Sequence, residues 1–381
     1  MEFELSKSRP NDFDKIMCIF AKTSDLNKLL CALLFGIGTL AMSQSAPKYS
    51  NEFLNIGVDA AALGSSNAVV ARSNDVNASY WNPAGLTEVE DRELSLMHAS
   101  YFANIANYNF IGYAMKIDDK SAAAASLIRF GVDDILDTTQ LIDDQGQINY
   151  NRISLFSAAD YALTLSYGRK DVLKTFDYGV NAKIIRRIIG DFASSWGFGF
   201  DLGVRATSKG GWQFGIMARD ITTTVNVWSF DEAKLADIQN AIEGQNQSVP
   251  RSTEITAPKL QMGVAKTFMF GYDYELQTEL DMIVRFEQNN DLISTKAASM
   301  TPALGLQLGY QDLVFVRAGA GNFQYETSLD RQENLSFQPN IGLGFKYRGI
   351  EIDYALTDIG DQSIALYSNI FSLKLDFGTF K

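Results

Sequence analysis

The feature that most constrains this chain is a strict period of two. From Trp196 to Ala206 every even position is apolar and every odd one is Gly or charged. Phe337, Pro339, Ile341, Leu343, Phe345 and Tyr347 alternate with Ser, Gln, Asn, Gly, Gly and Lys. Tyr272, Tyr274, Leu276, Leu280, Met282, Val284 and Phe286 share one face, with Thr278 its single polar member. Such segments are strands with one greasy and one wet face. A soluble antiparallel sheet alternates in the same way, so the period by itself leaves two architectures open.

Length, girdles and connections separate them. The strands run to about 9–13 residues, the span of a tilted strand across a hydrocarbon layer. Soluble strands average about five or six. Aromatics sit toward the ends of the greasy faces, as in Trp196, Trp212, Tyr161 with Tyr167, and Phe337 with Tyr347, where interfacial belts require them. About fourteen strands are predicted, near 93–102, 108–117, 120–130, 159–169, 175–187, 194–206, 211–220, 258–267, 272–286, 301–310, 313–322, 336–347, 350–357 and 369–378. Short links such as Gln311-Asp312 and Arg348-Gly349 alternate with long ones at 131–158, 221–257, 287–300, 323–335 and 358–368, and only the gaps at 103–107 and 188–193 fail to be long. Short inner turns and long outer loops are the asymmetry of an outer-membrane barrel. Pro258, Pro302 and Pro339 lie at or near strand starts, where they remove few ladder bonds. The expected fold is all-β, a transmembrane antiparallel β-barrel of about 14 strands with an N-terminal plug (hatch).

The densest apolar run lies elsewhere. Leu29 to Met42 follows Lys28 and ends in small residues at Ser43. That length reads as the core of a secretory leader rather than a span, with an anchor helix as the alternative. Residues 1–43 are therefore expected to be a signal peptide, cleaved before Gln44, and Met17 to Ser43 alone has a normal leader length. Cys18 and Cys31 both fall within it, which leaves no thiol chemistry for the mature chain. The division expected is leader 1–43, hatch 44–92 and barrel 93–381.

Residues 44–92 lack the alternation. Small residues and turn formers dominate, as suits irregular packing inside something else. The stretch Asp75–Leu86, with Asn82-Pro83-Ala84-Gly85, resembles the hatch motif of the FadL-like outer-membrane proteins. The fuller pattern adds Phe53-Leu54, Ile56, Leu63-Gly64 and Ser79-Tyr80-Trp81. It resembles the PorV/PorQ branch of that family, found in Bacteroidetes-type Gram-negative bacteria. The resemblance implies a hatch motif at Tyr80, Trp81, Asn82, Pro83, Ala84 and Gly85. It further implies an outer-membrane protein of type IX secretion or surface attachment. Its partners would be a secretion channel, the C-terminal domains of cargo proteins and an attachment complex. The alternative is a FadL-like transporter of hydrophobic small molecules.

The remaining residues narrow the chemistry. Thirty-three basic and 45 acidic residues give a charge of −12, which disfavours nucleic acid as a partner. One His, His98, and a mature chain without Cys leave no expected metal site, no cofactor and no catalytic pair. The acidic loop around Asp133, Asp134, Asp137, Asp143 and Asp144 matches no calcium-loop spacing. The wet faces carry both signs, among them Lys183, Arg187, Asp201, Arg205, Arg219, Glu279, Asp281, Arg317, Glu351, Asp353 and Lys374. Paired charges lining a lumen would anchor a plug. The long link 221–257 holds Trp228 and Phe230, then Leu235, Ile238 and Ile242 at helical spacing. These five are the expected partner-binding residues, with packing of the loop over the barrel mouth as the alternative.

Overall fold

A computed structural model describes residues 50–102, 104–142, 145–170, 176–231, 252–327, 332–357 and 368–379. The predicted leader and the helical part of the long link, with Leu235, Ile238 and Ile242, lie outside the described residues.

Fourteen antiparallel strands close into a barrel. They are β1 (Arg92–Tyr101), β2 (Ala106–Asp118), β3 (Ser121–Asp137), β4 (Ser154–Arg169), β5 (Asp177–Ile189), β6 (Ala193–Thr207) and β7 (Trp212–Arg219), then β10 (Lys259–Phe270), β11 (Tyr274–Arg285), β13 (Ser299–Tyr310), β14 (Val314–Thr327), β15 (Glu333–Tyr347), β16 (Ile350–Thr357) and β17 (Ser368–Asp376). The ring shuts where Leu96 of β1 faces Leu373 of β17. Three short strands, β8 (Thr224–Phe230), β9 (Thr253–Thr256) and β12 (Ile293–Ser294), extend the sheet on the side of the long loops.

The period of two becomes the two faces of the wall. On β6, Trp196, Phe198, Phe200 and Leu202 are exposed on the outside, and Asp201 and Arg205 are buried inside. On β15, Ile341, Leu343, Phe345 and Tyr347 form the matching outer row. These outward residues would be a liability in water and are the required surface in lipid. No helix among the described residues is long and apolar enough to cross a membrane; the strands do the crossing.

Two hairpins reach further than the alternation indicated. β3 and β4 pair out to Asp137 and Ser154, inside a stretch read from sequence as loop, with a register shift between Val132 and Ile135. Above the lipid both faces are wet, so ladder hydrogen bonds continue after the hydrophobic period has gone. The link 221–257 is likewise in part strand. β8 pairs with β6 from Ala193–Phe230 to Phe198–Val225, and β9 pairs with β8.

β7 and β8 are one strand interrupted by a bulge. Between the pairs Leu202–Ala218 and Phe198–Val225, six residues, Arg219–Thr224, face three, Gly199–Asp201. Asp220 and Thr223 take positive φ of 54° and 59° to absorb the excess, a conformation a β-branched Thr rarely adopts.

Candidate functional site

The lumen is crossed by residues 50–91, and the packing explains the path. Phe53, Leu54, Val58, Leu63 and Trp81 of this segment join lumen-facing Met97, Tyr108, Phe110, Ile128, Ile185 and Ile370 in one buried cluster. One sector of the inner wall is therefore apolar. Alternation could not reveal it, because on β2 outward Ile111, Tyr113 and Met115 alternate with inward Tyr108, Phe110 and Ala114, and both faces read as greasy.

The Tyr80–Gly85 motif is the internal frame of this segment. The Tyr80 hydroxyl donates to the Leu54 carbonyl at 2.6 Å, and Trp81 Nε1 donates to the Val58 carbonyl at 3.1 Å. Asn82 Nδ2 donates to the Val70 carbonyl at 3.0 Å and to Val204 of β6 at 3.2 Å. Its Oδ1 caps the turn beginning at Pro83 by accepting from the Ala84 amide at 3.2 Å. A Cβ at Gly85 would stand 2.0 Å from the Ser73 carbonyl oxygen, and one at Gly179 of β5 would stand 2.2 Å from the Pro83 carbonyl carbon. Gly on both sides of the contact lets the motif lie against the wall.

Charges on the inner wall hold the opposite flank. Asp281 Oδ2 accepts from the amides of Val69 and Val70 at 3.1 and 3.2 Å, and Glu279 Oε1 accepts from Ala71 at 2.6 Å. Arg72 faces Glu279 at 3.4 Å, and Lys374 bridges Asp75 at 2.7 Å and Glu351 at 2.9 Å. Arg205 donates to the Ser73 carbonyl at 3.0 Å. Arg219 stacks over Tyr80 at 4.3 Å. Arg317 reaches Asp353 at 2.5 Å. Burial acts on the segment's own ionisable groups. It raises the Asp59 carboxyl, against the pull of Lys374, and lowers the Arg72 guanidinium, against the pull of Glu279. Partnered in this way, buried charges tolerate a low dielectric.

The start of the segment is tied to the short strands. Ser50 Oγ donates to Glu254 of β9 at 3.1 Å and accepts from Asn226 of β8 at 2.5 Å. Asn51 donates to Thr256 at 2.8 Å. The bulge below them has a buried ionic lock: Lys183 Nζ lies 2.7 Å from Asp201 and 2.5 Å from Asp220, and the Asp220 amide donates to Asp201 at 2.9 Å. Only the break in alternation at Asp220-Ile-Thr-Thr-Thr hinted at this lock in the sequence.

Cavities border the crossing segment among the described residues. One of about 290 Å³ is lined by Asp59, Arg72, Asp75, Arg317, Glu351 and Lys374. Another, of about 400 Å³, lies toward the long loops between Thr256–Lys259 and Phe286–Asp291. Among the described residues no cluster of His, Cys, Asp and Glu could hold a metal ion. Trp228 and Phe230 belong to β8: Trp228 is buried facing the lumen under Arg187, 5.1 Å from its ring, and Phe230 stacks on it at 6.2 Å. His98 points outward and bonds Asn109 at 2.7 Å.

Residues 42–209 match the family model described as type IX secretion system protein PorV. That span runs through the crossing segment and β1–β6. The Pseudomonas putida toluene transporter TodX superposes with a TM-score of 0.52 at 12% identity, over 84% of this chain and 99% of its own. This chain is an outer-membrane β-barrel with the fold of that transporter and a PorV-family match over residues 42–209. A monoaromatic hydrocarbon channel, CymD, superposes on this barrel with a TM-score of 0.50 at 11% identity, over 84% of this chain and 98% of that one. A Pseudomonas aeruginosa FadL homologue gives 0.46 at 13% identity, over 84% and 98%. No curated protein matches this chain by sequence.

Proposed function

We propose that this outer-membrane barrel works by binding proteins in type IX secretion or surface attachment, as a cargo shuttle or accessory subunit, and that it is not an enzyme. The observation that carries the reading is the PorV match across the hatch and the first six strands. On this reading residues 1–43 are the leader, 44–92 the hatch held by Tyr80–Gly85, and 93–381 the barrel. The link 221–257, with Trp228, Phe230, Leu235, Ile238 and Ile242, meets the partner. The partners are a secretion channel, cargo C-terminal domains and an attachment complex.

The mouths of the lumen favour this reading over hydrocarbon import. Both flanking cavities are lined largely by charged and amide side chains, whereas an apolar ligand gains from an apolar lining. Affinity purification of the tagged full chain from outer membranes tests the proposal. A large channel protein and secreted proteins should co-purify in stoichiometric amounts. Recovery of the barrel alone would refute it.

A further inference from the structure

The lipid-facing wall is not apolar up to its rim. From β1 to β6 one row of cross-strand neighbours joins His98, Asn109, Arg129, Tyr161, Arg186 and Trp196. The row lies on the outward face, since it alternates along the strands with buried Met97, Ile128 and Ile185. One step nearer the short turns, the next outward row is Leu96, Ile111, Leu127, Leu163, Ile184 and Phe198, without a polar member. Hydrocarbon therefore ends along the first row, on the long-loop side that faces the outer leaflet.

Two guanidiniums stand in that row. Arg129 Nη2 donates to Asp133 at 2.7 and 3.0 Å, and its Nε donates to the Tyr161 hydroxyl at 3.4 Å. Arg186 lies over the Trp196 ring at 4.8 Å, and its Nη1 donates to the Ser195 carbonyl at 3.3 Å. Among the described residues no carboxylate pairs with Arg186. A guanidinium stays charged and carries five donors, and hydrocarbon satisfies none of them. At the other end of the row His98 and Asn109 are bonded at 2.7 Å. Beside them the wall is dented by a groove of about 490 Å³ along the seam of β1 and β17, lined by Leu96, Ile352, Phe371 and Leu373.

We infer that this stretch of wall binds one phosphorylated glycolipid of the outer leaflet, its phosphate over Tyr161 between Arg129 and Arg186 and one acyl chain in the groove. The wall stands in lipid, so the occupant of an apolar dent that opens outward is an acyl chain. Charge complementarity selects an anionic headgroup: Asp133 offsets Arg129, Arg186 remains, and the guanidinium fork matches phosphate oxygens. Asn109 and Arg186 are three inter-strand steps apart, about 14 Å. That breadth suits a sugar headgroup bearing several chains better than a glycerophosphate.

The test is native mass spectrometry of the tagged full chain, extracted from outer membranes in mild detergent and washed free of bulk lipid, with folding checked by heat-modifiable migration. We expect one phosphorylated glycolipid retained per barrel. Arg186→Gln should lower the retained fraction about tenfold, the loss expected for a charged hydrogen-bonding contact. Arg186→Lys keeps the charge without the fork and should retain an intermediate amount. Ile352→Trp fills the groove and should reduce retention with the charge intact. Lys266→Gln removes an outward charge beside Trp212 at the short-turn rim and should change nothing. Purified lipopolysaccharide and its dephosphorylated form are then offered to the delipidated wild-type barrel, an arm that needs no variant to fold; only the phosphorylated form should rebind. Retention of phospholipid alone, equal rebinding of both forms, retention insensitive to Arg186→Gln in a folded barrel, or an equal loss with Lys266→Gln would overturn the site.

Discussion

Asn82 ties three parts of the molecule together with one amide group. It holds the turn at Pro83, the turn at Val70 and the barrel wall at Val204, all from a fully buried position. Substituting Asn82→Ala leaves the Val70 and Val204 carbonyls with a lost donor. Such orphaned groups cost about 1–3 kcal/mol. The barrel has its own ladder, so its heat-modifiable migration should persist while the hatch becomes the first site of limited proteolysis. Equal protease resistance in the variant would show that the amide is dispensable. The motif itself was legible, since Tyr80 to Gly85 stand together in the sequence, but its partners were not. Leu54, Val58, Ser73 and Gly179 carry no local sign that they meet it, because the meeting depends on how an aperiodic chain folds inside a ring.

At the scale of elements, the interrupted β7–β8 strand is the least regular part of the wall. Its bulge is closed over Lys183, which answers two buried carboxylates at once. Replacing Lys183→Met leaves Asp201 and Asp220 side by side without their cation. Breaking a buried pair from one side costs about 3–5 kcal/mol. We expect lower resistance to urea in detergent and proteolysis concentrated on β8 and β9, with partial recovery when Asp220→Asn is added. Uniform loss across the barrel would contradict a local role. The fourteen crossing strands were readable because lipid outside and water or hatch inside impose opposite demands on successive residues. β8 and β9 were not, since Val225 and Val227 give too short a run to stand out, and β9 has four residues.

For the whole molecule, a net charge of −12 and a 46% apolar content describe two surfaces at once. The apolar half lies largely outside in lipid. Much of the charge lies inside, spent on the hatch through Glu279, Asp281 and Lys374, and that partnering is why the lumen is filled. An apolar sector of the same lumen, built from Met97, Tyr108, Phe110 and Ile128, escaped the sequence reading because alternation assigns faces only when they differ. A barrel plugged from both flanks is suited to presenting a rim, and a rim is suited to proteins.

The central claim is tested most directly by removing the chain from its own cells and following two fluxes, the surface arrival of type IX cargo and the uptake of toluene. Our account predicts that cargo accumulates in the periplasm while toluene entry is unchanged. Normal cargo at the surface with reduced toluene entry would contradict it.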